Sequence, residues 1–124
     1  RGRGMYSYLT GSASWYLLTM VTEVFGIKGC LGDLEIAPKL MRDQFDHRGV
    51  ASIRTIFAGR CLEITYHNSD RLDWDEYQVN IIKIDGSPIS FDQAGAGAIL
   101  VRQVILELST NQIHSVEVTL AKRS

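Results

Sequence analysis

The chain has 124 residues, room for one domain or for one domain with part of another, and its 45% apolar and 22% charged residues are the balance of a soluble globular protein able to bury a core. Lys and Arg total 13 and Asp and Glu 14, which gives no field to draw nucleic acid or an anionic membrane surface. No window reaches the roughly 18 apolar residues of a membrane span, and no basic, apolar, small-residue leader reads as a signal peptide. In chain order, the first element is the run "YSYLTGSASWYLLTMVTEVFG", Tyr6 to Gly26, in which a tight Thr10-Gly11-Ser12 loop leads into a helix over Ser12 to Phe25. At about 100° per residue, Met20, Ala13, Val24, Leu17, Val21, Phe25 and Leu18 fill one arc, interrupted only by Ser14. The opposite arc, with Thr22, Trp15, Thr19, Ser12, Glu23 and Tyr16, is small and hydroxylated and makes a poor solvent face, as in a helix enclosed by a larger assembly. Gly26 suits a C-terminal stop, with Ile27 making the accompanying apolar contact.

After Gly32 the period changes to that of strands. "LEIAP" (Leu34 to Pro38) reads as a short strand ended by proline. Ser52–Phe57 and Arg60–His67 are β-rich runs joined by Ala58-Gly59, a two-residue hairpin turn, with Leu62, Ile64 and Tyr66 alternating against Cys61, Glu63 and Thr65. Tyr77 to Gly86 is a strand followed by a turn at Asp85-Gly86 and then Ser87-Pro88. "AILVRQVILELS" reads as a strand over Ala98–Val101 and then a helical turn, preceded by a flexible "AGAGA" at Ala94 to Ala98. His114 to Ala121, "HSVEVTLA", alternates cleanly as a final strand. Five or six short antiparallel strands of this kind make a β-sandwich, so the expected fold is mostly β: a C-terminal sandwich preceded by one α-helix.

Most candidate chemistry in the sandwich has a plain structural reading. Asp70, Asp73, Asp75 and Glu76 cluster in "NSDRLDWDEY" without the alternate spacing and turn glycine of a calcium loop, and no apolar wall stands by to raise a carboxylate for glycoside hydrolysis, so a solvated loop is expected. His47, His67 and His114 show no metal-ligand spacing and read as surface or strand-edge histidines. Trp74 with Tyr77 could stack on a sugar, but Trp74 packed over a sheet edge is the simpler expectation. Cys30 and Cys61 lack a close-spaced motif and read as unpaired thiols of a reducing compartment, which points to the cytoplasm. At Thr10-Gly11-Ser12 two readings stand side by side. A helix N-terminus with unpaired N–H groups and partial positive charge holds an anion, and the same hydroxyls serve simply as caps.

The run "YLTGSASWYLLTMVTEVFGIKGCLGDLEIAPKL", Tyr8 to Leu40 within a match that starts at about Tyr6, closely resembles the C-terminal part of the inverting disaccharide phosphorylases of the cellobiose phosphorylase type, glycoside hydrolase family 94. The resemblance rests on the Leu-Thr-Gly-Ser-Ala-x-Trp loop and helix, the following Gly-Ile-x-Gly and the strand ending in Pro; beyond Leu40 it is loose. It implies an N-terminal β-sandwich, a helical linker, an (α/α)6 barrel carrying the active site and a C-terminal β-sandwich. Residues 1–28 would then be the last barrel helix with its phosphate-binding loop, and residues 29–124 the C-terminal sandwich. The implied reaction moves a glucosyl unit from a β-linked disaccharide, cellobiose by overall similarity, to inorganic phosphate with inversion, giving α-glucose 1-phosphate and glucose. Phosphate is a substrate there, no cofactor or metal is implied, and the parent enzyme is expected as a homodimer.

Carried over by position, the resemblance puts the Thr10 hydroxyl and the Gly11 backbone N–H in the phosphate site, and Ser12 follows from its place at the helix entry. The family's general-acid aspartate and its phosphate-binding arginine and histidine have no counterpart here, and neither Asp33 nor Asp43 sits in such a motif, so this piece alone is expected to be inactive. With Arg rather than Met as first residue, the chain is expected to have been processed, cut or expressed as a piece. The alternatives are a phosphorylase for chitobiose, cellodextrins or laminaribiose, and a non-catalytic sandwich that binds carbohydrate or serves as a structural module. With barrel neighbours missing, the apolar arc of residues 12–25 is expected to make the isolated chain self-associate, which light scattering over a concentration series reads directly.

Overall fold

The computed structural model describes residues 23–123. Local turn chemistry builds most of it. Strands β1 (Ile27–Cys30) and β2 (Asp33–Ile36) meet at Leu31-Gly32, β3 (Val50–Phe57) and β4 (Arg60–His67) at Ala58-Gly59, and β5 (Tyr77–Ile84) and β6 (Ser87–Ile89) at Asp85-Gly86. In all three turns both central residues take positive φ, for example 52° and 76° at Ala58-Gly59. That mirror-image turn matches the right-handed twist of the strands it joins, and Gly at its second position removes half the steric cost. β7 (Asp92–Ala94) and β8 (Gly97–Leu100) form a further hairpin, followed by the short helix α1 (Arg102–Leu106) and the long strand β9 (Ile113–Lys122).

The strands make two sheets, ordered β1-β2-β8-β7 and β3-β4-β9-β5-β6. Every pair is antiparallel except β4 with β9, which run parallel from Cys61↔Ile113 to His67↔Thr119. Alternation then sorts the faces. Leu62, Ile64 and Tyr66 of β4, Val116, Val118 and Leu120 of β9, and Val79, Ile82 and Ile84 of β5 point inward, where they join Ile27, Leu34, Ile36, Ala98 and Leu100 of the other sheet in one core. On β5 the register slips between Val79 and Ile81, a bulge that lets Val79 and Ile82 face the same way although three positions apart. The mostly β sandwich expected from the sequence is therefore present. Among the described residues no helix is long and apolar enough to cross a membrane.

Several details differ from the sequence expectation. Strands begin at Ile27 rather than after Gly32, so β1 straddles the expected 28/29 boundary; a four-residue run with a glycine at Gly29 is too short to display a period. Nine strands are described where five or six were expected, because β6 and β7 have three residues each. "AGAGA" is a tight hairpin: the Ala96 carbonyl accepts the Val79 N–H at 2.8 Å, and a Cβ on Gly97 would lie 2.8 Å from the Ala37 side chain. The predicted helix lies outside the described residues except for Glu23, Val24 and Phe25. Of its apolar arc, Phe25 is buried in the sandwich core and Val24 packs against it.

Candidate functional site

Thr10, Gly11 and Ser12 lie outside the described residues. What is described is how the segment that follows them is fastened to the sandwich. Three consecutive carbonyls, those of Val24, Phe25 and Gly26, are each taken by a donor from a different place: the Lys39 N–H at 2.9 Å, the Tyr66 hydroxyl at 2.5 Å and the Ala37 N–H at 2.9 Å. Gly26 has φ 72°, which turns the chain into β1, and its α-carbon lies so close to Ala37 that a Cβ would stand 2.0 Å from the Ala37 carbonyl oxygen. The Phe25 ring stacks on Tyr66 with centroids 6.2 Å apart. Burial pushes the Tyr66 phenol well above its ordinary range, so it stays a neutral donor at any working pH. Carbonyls at the end of a helical segment lack partners of their own, and this anchor supplies them from β4 and from the chain after β2.

Two carboxylates of the acidic 70–76 loop, those of Asp73 and Glu76, are used locally. Asp73 Oδ1 accepts the N–H groups of Trp74 and Arg42, both at 3.0 Å, and Glu76 Oε1 accepts the Asp73 N–H at 2.7 Å, a reciprocal cap on the one-turn helix Trp74–Glu76. These backbone donors hold the Asp73 carboxyl below its usual value. Among the described residues no group of three His, Cys, Asp or Glu side chains converges in a metal-binding arrangement. Trp74 is 46% exposed, but Tyr77 is buried with its hydroxyl on the Leu40 carbonyl at 2.8 Å, so the two do not form a shared aromatic platform. Asp33 caps α1 by accepting the Arg102 N–H at 2.8 Å, and Cys30 and Cys61 are free thiols.

His114 overturns the surface expectation. It is only 3% exposed, because β9 carries it in the same alternation as Val116, Val118 and Leu120. Its Nδ1 lies 2.6 Å from Asp85 Oδ2, and its Nε2 lies 2.9 Å from the Ser109 carbonyl oxygen and 3.2 Å from the Ser109 hydroxyl. Ser, His and Asp thus meet at one end of the sandwich. They do not make a hydrolytic set: the carbonyl oxygen can only accept, so the nearer contact requires a proton on Nε2, and a protonated Nε2 cannot take one from the Ser109 hydroxyl. By contrast His67 lies on the outer face, 3.8 Å from Glu117, and His47 is exposed.

Sequence reasoning missed Tyr66 as an anchor and Asp85 as a partner, since both contacts join positions far apart in the chain, 41 residues in the first case and 29 in the second. No protein-family profile matches the chain, and none of the curated proteins compared with it matches either.

Proposed function

We propose that the chain is the C-terminal part of an inverting phosphorylase that cleaves a β-linked disaccharide, cellobiose first among them, with inorganic phosphate. The observation that carries the reading is the sequence run Leu9-Thr10-Gly11-Ser12-Ala13-Ser14-Trp15, placed by the sequence pattern at the start of the predicted apolar helix. The anchor at Val24 to Gly26 supports it, because a loop that must hold a dianion in line with an anomeric carbon needs its far end fixed. In this reading the Thr10 hydroxyl and the Gly11 N–H donate to phosphate oxygens, and Ser12 adds a donor or caps the helix. Phosphate is already anionic near neutrality, so no general base is required; the general acid comes from the barrel upstream. The sandwich contributes no catalytic group and serves as the mount for the last barrel helix.

The test is the full-length parent incubated with a panel of β-linked disaccharides and phosphate, with glucose 1-phosphate as the readout. Phosphate-dependent release from cellobiose supports the reading, release only from another β-linked sugar moves the substrate, and no release from any of them removes it. Losing one charge-assisted hydrogen bond costs about 1.5–3 kcal/mol. Thr10→Ala is therefore expected to weaken phosphate use roughly tenfold or more, with smaller effects on the disaccharide, and Thr10→Ser to be milder. Unchanged kcat and phosphate KM in Thr10→Ala would take Thr10 out of the site.

A further inference from the structure

The carbonyl groups at the end of α1 and in the connection that follows are held by two side chains reaching from the larger sheet. Arg60 of β4 donates to the carbonyls of Leu106 at 2.8 Å and Leu108 at 3.1 Å, and also to Ala58 in its own turn at 2.6 Å. His114 at the start of β9 meets the next carbonyl, Ser109. Its other nitrogen faces the Asp85 carboxylate, whose second oxygen accepts the Ser115 N–H at 2.9 Å. The two nearer partners of the ring, the carboxylate at 2.6 Å and the carbonyl at 2.9 Å, are acceptors only, so the imidazolium is the form that satisfies both; the Ser109 hydroxyl at 3.2 Å is the one neighbour able to donate to a bare Nε2.

We propose that His114 is a pH-sensitive pin: as a cation it fastens the α1–β9 connection to the β5–β6 turn, and on losing its proton it lets that connection loosen. The groups facing it from each side are Asp85 on the β5–β6 turn, Arg60 on β4, and the carbonyl and hydroxyl of Ser109 on the α1–β9 connection; its ladder neighbour on β4 is apolar Leu62. Asp85 and the Ser109 carbonyl hold the imidazole above its ordinary value against the opposing pull of burial and of Arg60. A group whose folded value is raised contributes stability that is complete below its unfolded value of 6.5 and is lost as the pH climbs through the folded one. Asp85, held low by His114 and Ser115, contributes above its unfolded 3.8 and fails only as the pH falls further. The pin is therefore tightest between those two unfolded values and releases on the alkaline side. Once neutral, the ring turns a lone pair towards the Ser109 carbonyl, which repels it, and the Ser109 hydroxyl is left as the substitute donor.

Isotope-labelled 124-residue chain, titrated by NMR, tests this without depending on any variant. Both His114 nitrogens are expected to be protonated at pH 5, with a midpoint above that of histidine in an unfolded peptide. The Ser109 carbonyl carbon should titrate with the same midpoint. Across it, the amides of Glu107 and Leu108 should lose about three- to tenfold of their protection relative to Ile64. Asp85→Asn keeps a side chain that tolerates the positive φ of that turn and should lower the midpoint by about 1–3 pH units. A bare Nε2 at pH 5, a midpoint at or below the unfolded value, or protection at Glu107 and Leu108 that ignores the midpoint would each overturn the proposal.

Discussion

Gly26→Ala is expected to destabilise the chain by about 2–5 kcal/mol, far more than the same change at Gly59. Both glycines sit at nearly the same positive φ, 72° and 76°, so both substitutions carry the left-handed penalty of about 1–2 kcal/mol. They differ in surroundings. A Cβ at Gly59 meets nothing within 4 Å, whereas at Gly26 it would stand 2.0 Å from the Ala37 oxygen and 2.8 Å from the Pro38 nitrogen, and neither is the free end of a flexible side chain. Relief requires the Ala37 N–H to Gly26 carbonyl bond to open, and with it the Lys39 to Val24 bond beside it. Urea melts of the two variants isolate the crowding by difference, since the φ penalty cancels. Equal losses at the two sites would mean that the 37–39 segment after β2 yields freely, and the anchor would then be weaker than its hydrogen bonds suggest.

What the sequence made legible follows the range of each interaction. The hairpins at Ala58-Gly59 and Asp85-Gly86 were readable because turn residues and flanking alternation lie within a few positions of one another, and Leu62, Ile64 and Tyr66 fall on the buried face their alternation assigned. The parallel pairing of β4 with β9 was not readable, since it joins segments about fifty positions apart and depends on which strand edges the hairpins leave open. The bulge near Asn80 has no local signature in "YQVNIIKI". His114 is the instructive case. The alternation "HSVEVTLA" already placed it in phase with Val116, Val118 and Leu120, so its burial was available from parity alone; reading histidine as a surface residue by type concealed it. At the proposed phosphate loop the sequence supplies residue types and order, while the anchor at Phe25 depends on a tyrosine 41 positions from its partner.

Tyr66 is where fold and proposed function can be separated by experiment. It is fully buried, its ring stacks on Phe25, and its hydroxyl satisfies the Phe25 carbonyl. Tyr66→Phe keeps the ring and strands that carbonyl in the core, a cost of about 1–3 kcal/mol. Tyr66→Ala also opens a cavity between β4 and the Phe25 ring, and about 3–5 kcal/mol is expected. On the proposed phosphorylase reading, the milder variant is the informative one in the full-length parent. A continuous helix over the predicted span would put Thr10 about 20 Å from Phe25. A tilt of about 5° at the anchor would then carry the loop by about 2 Å, where a misplacement of about 1 Å can cost a hundredfold in rate. Tyr66→Phe is thus expected to stay folded at assay temperature yet to lose phosphorolysis beyond its loss of folded protein, with phosphate KM rising more than disaccharide KM. If activity instead tracks the folded fraction at every temperature, the sandwich stabilises the enzyme without aligning its phosphate loop.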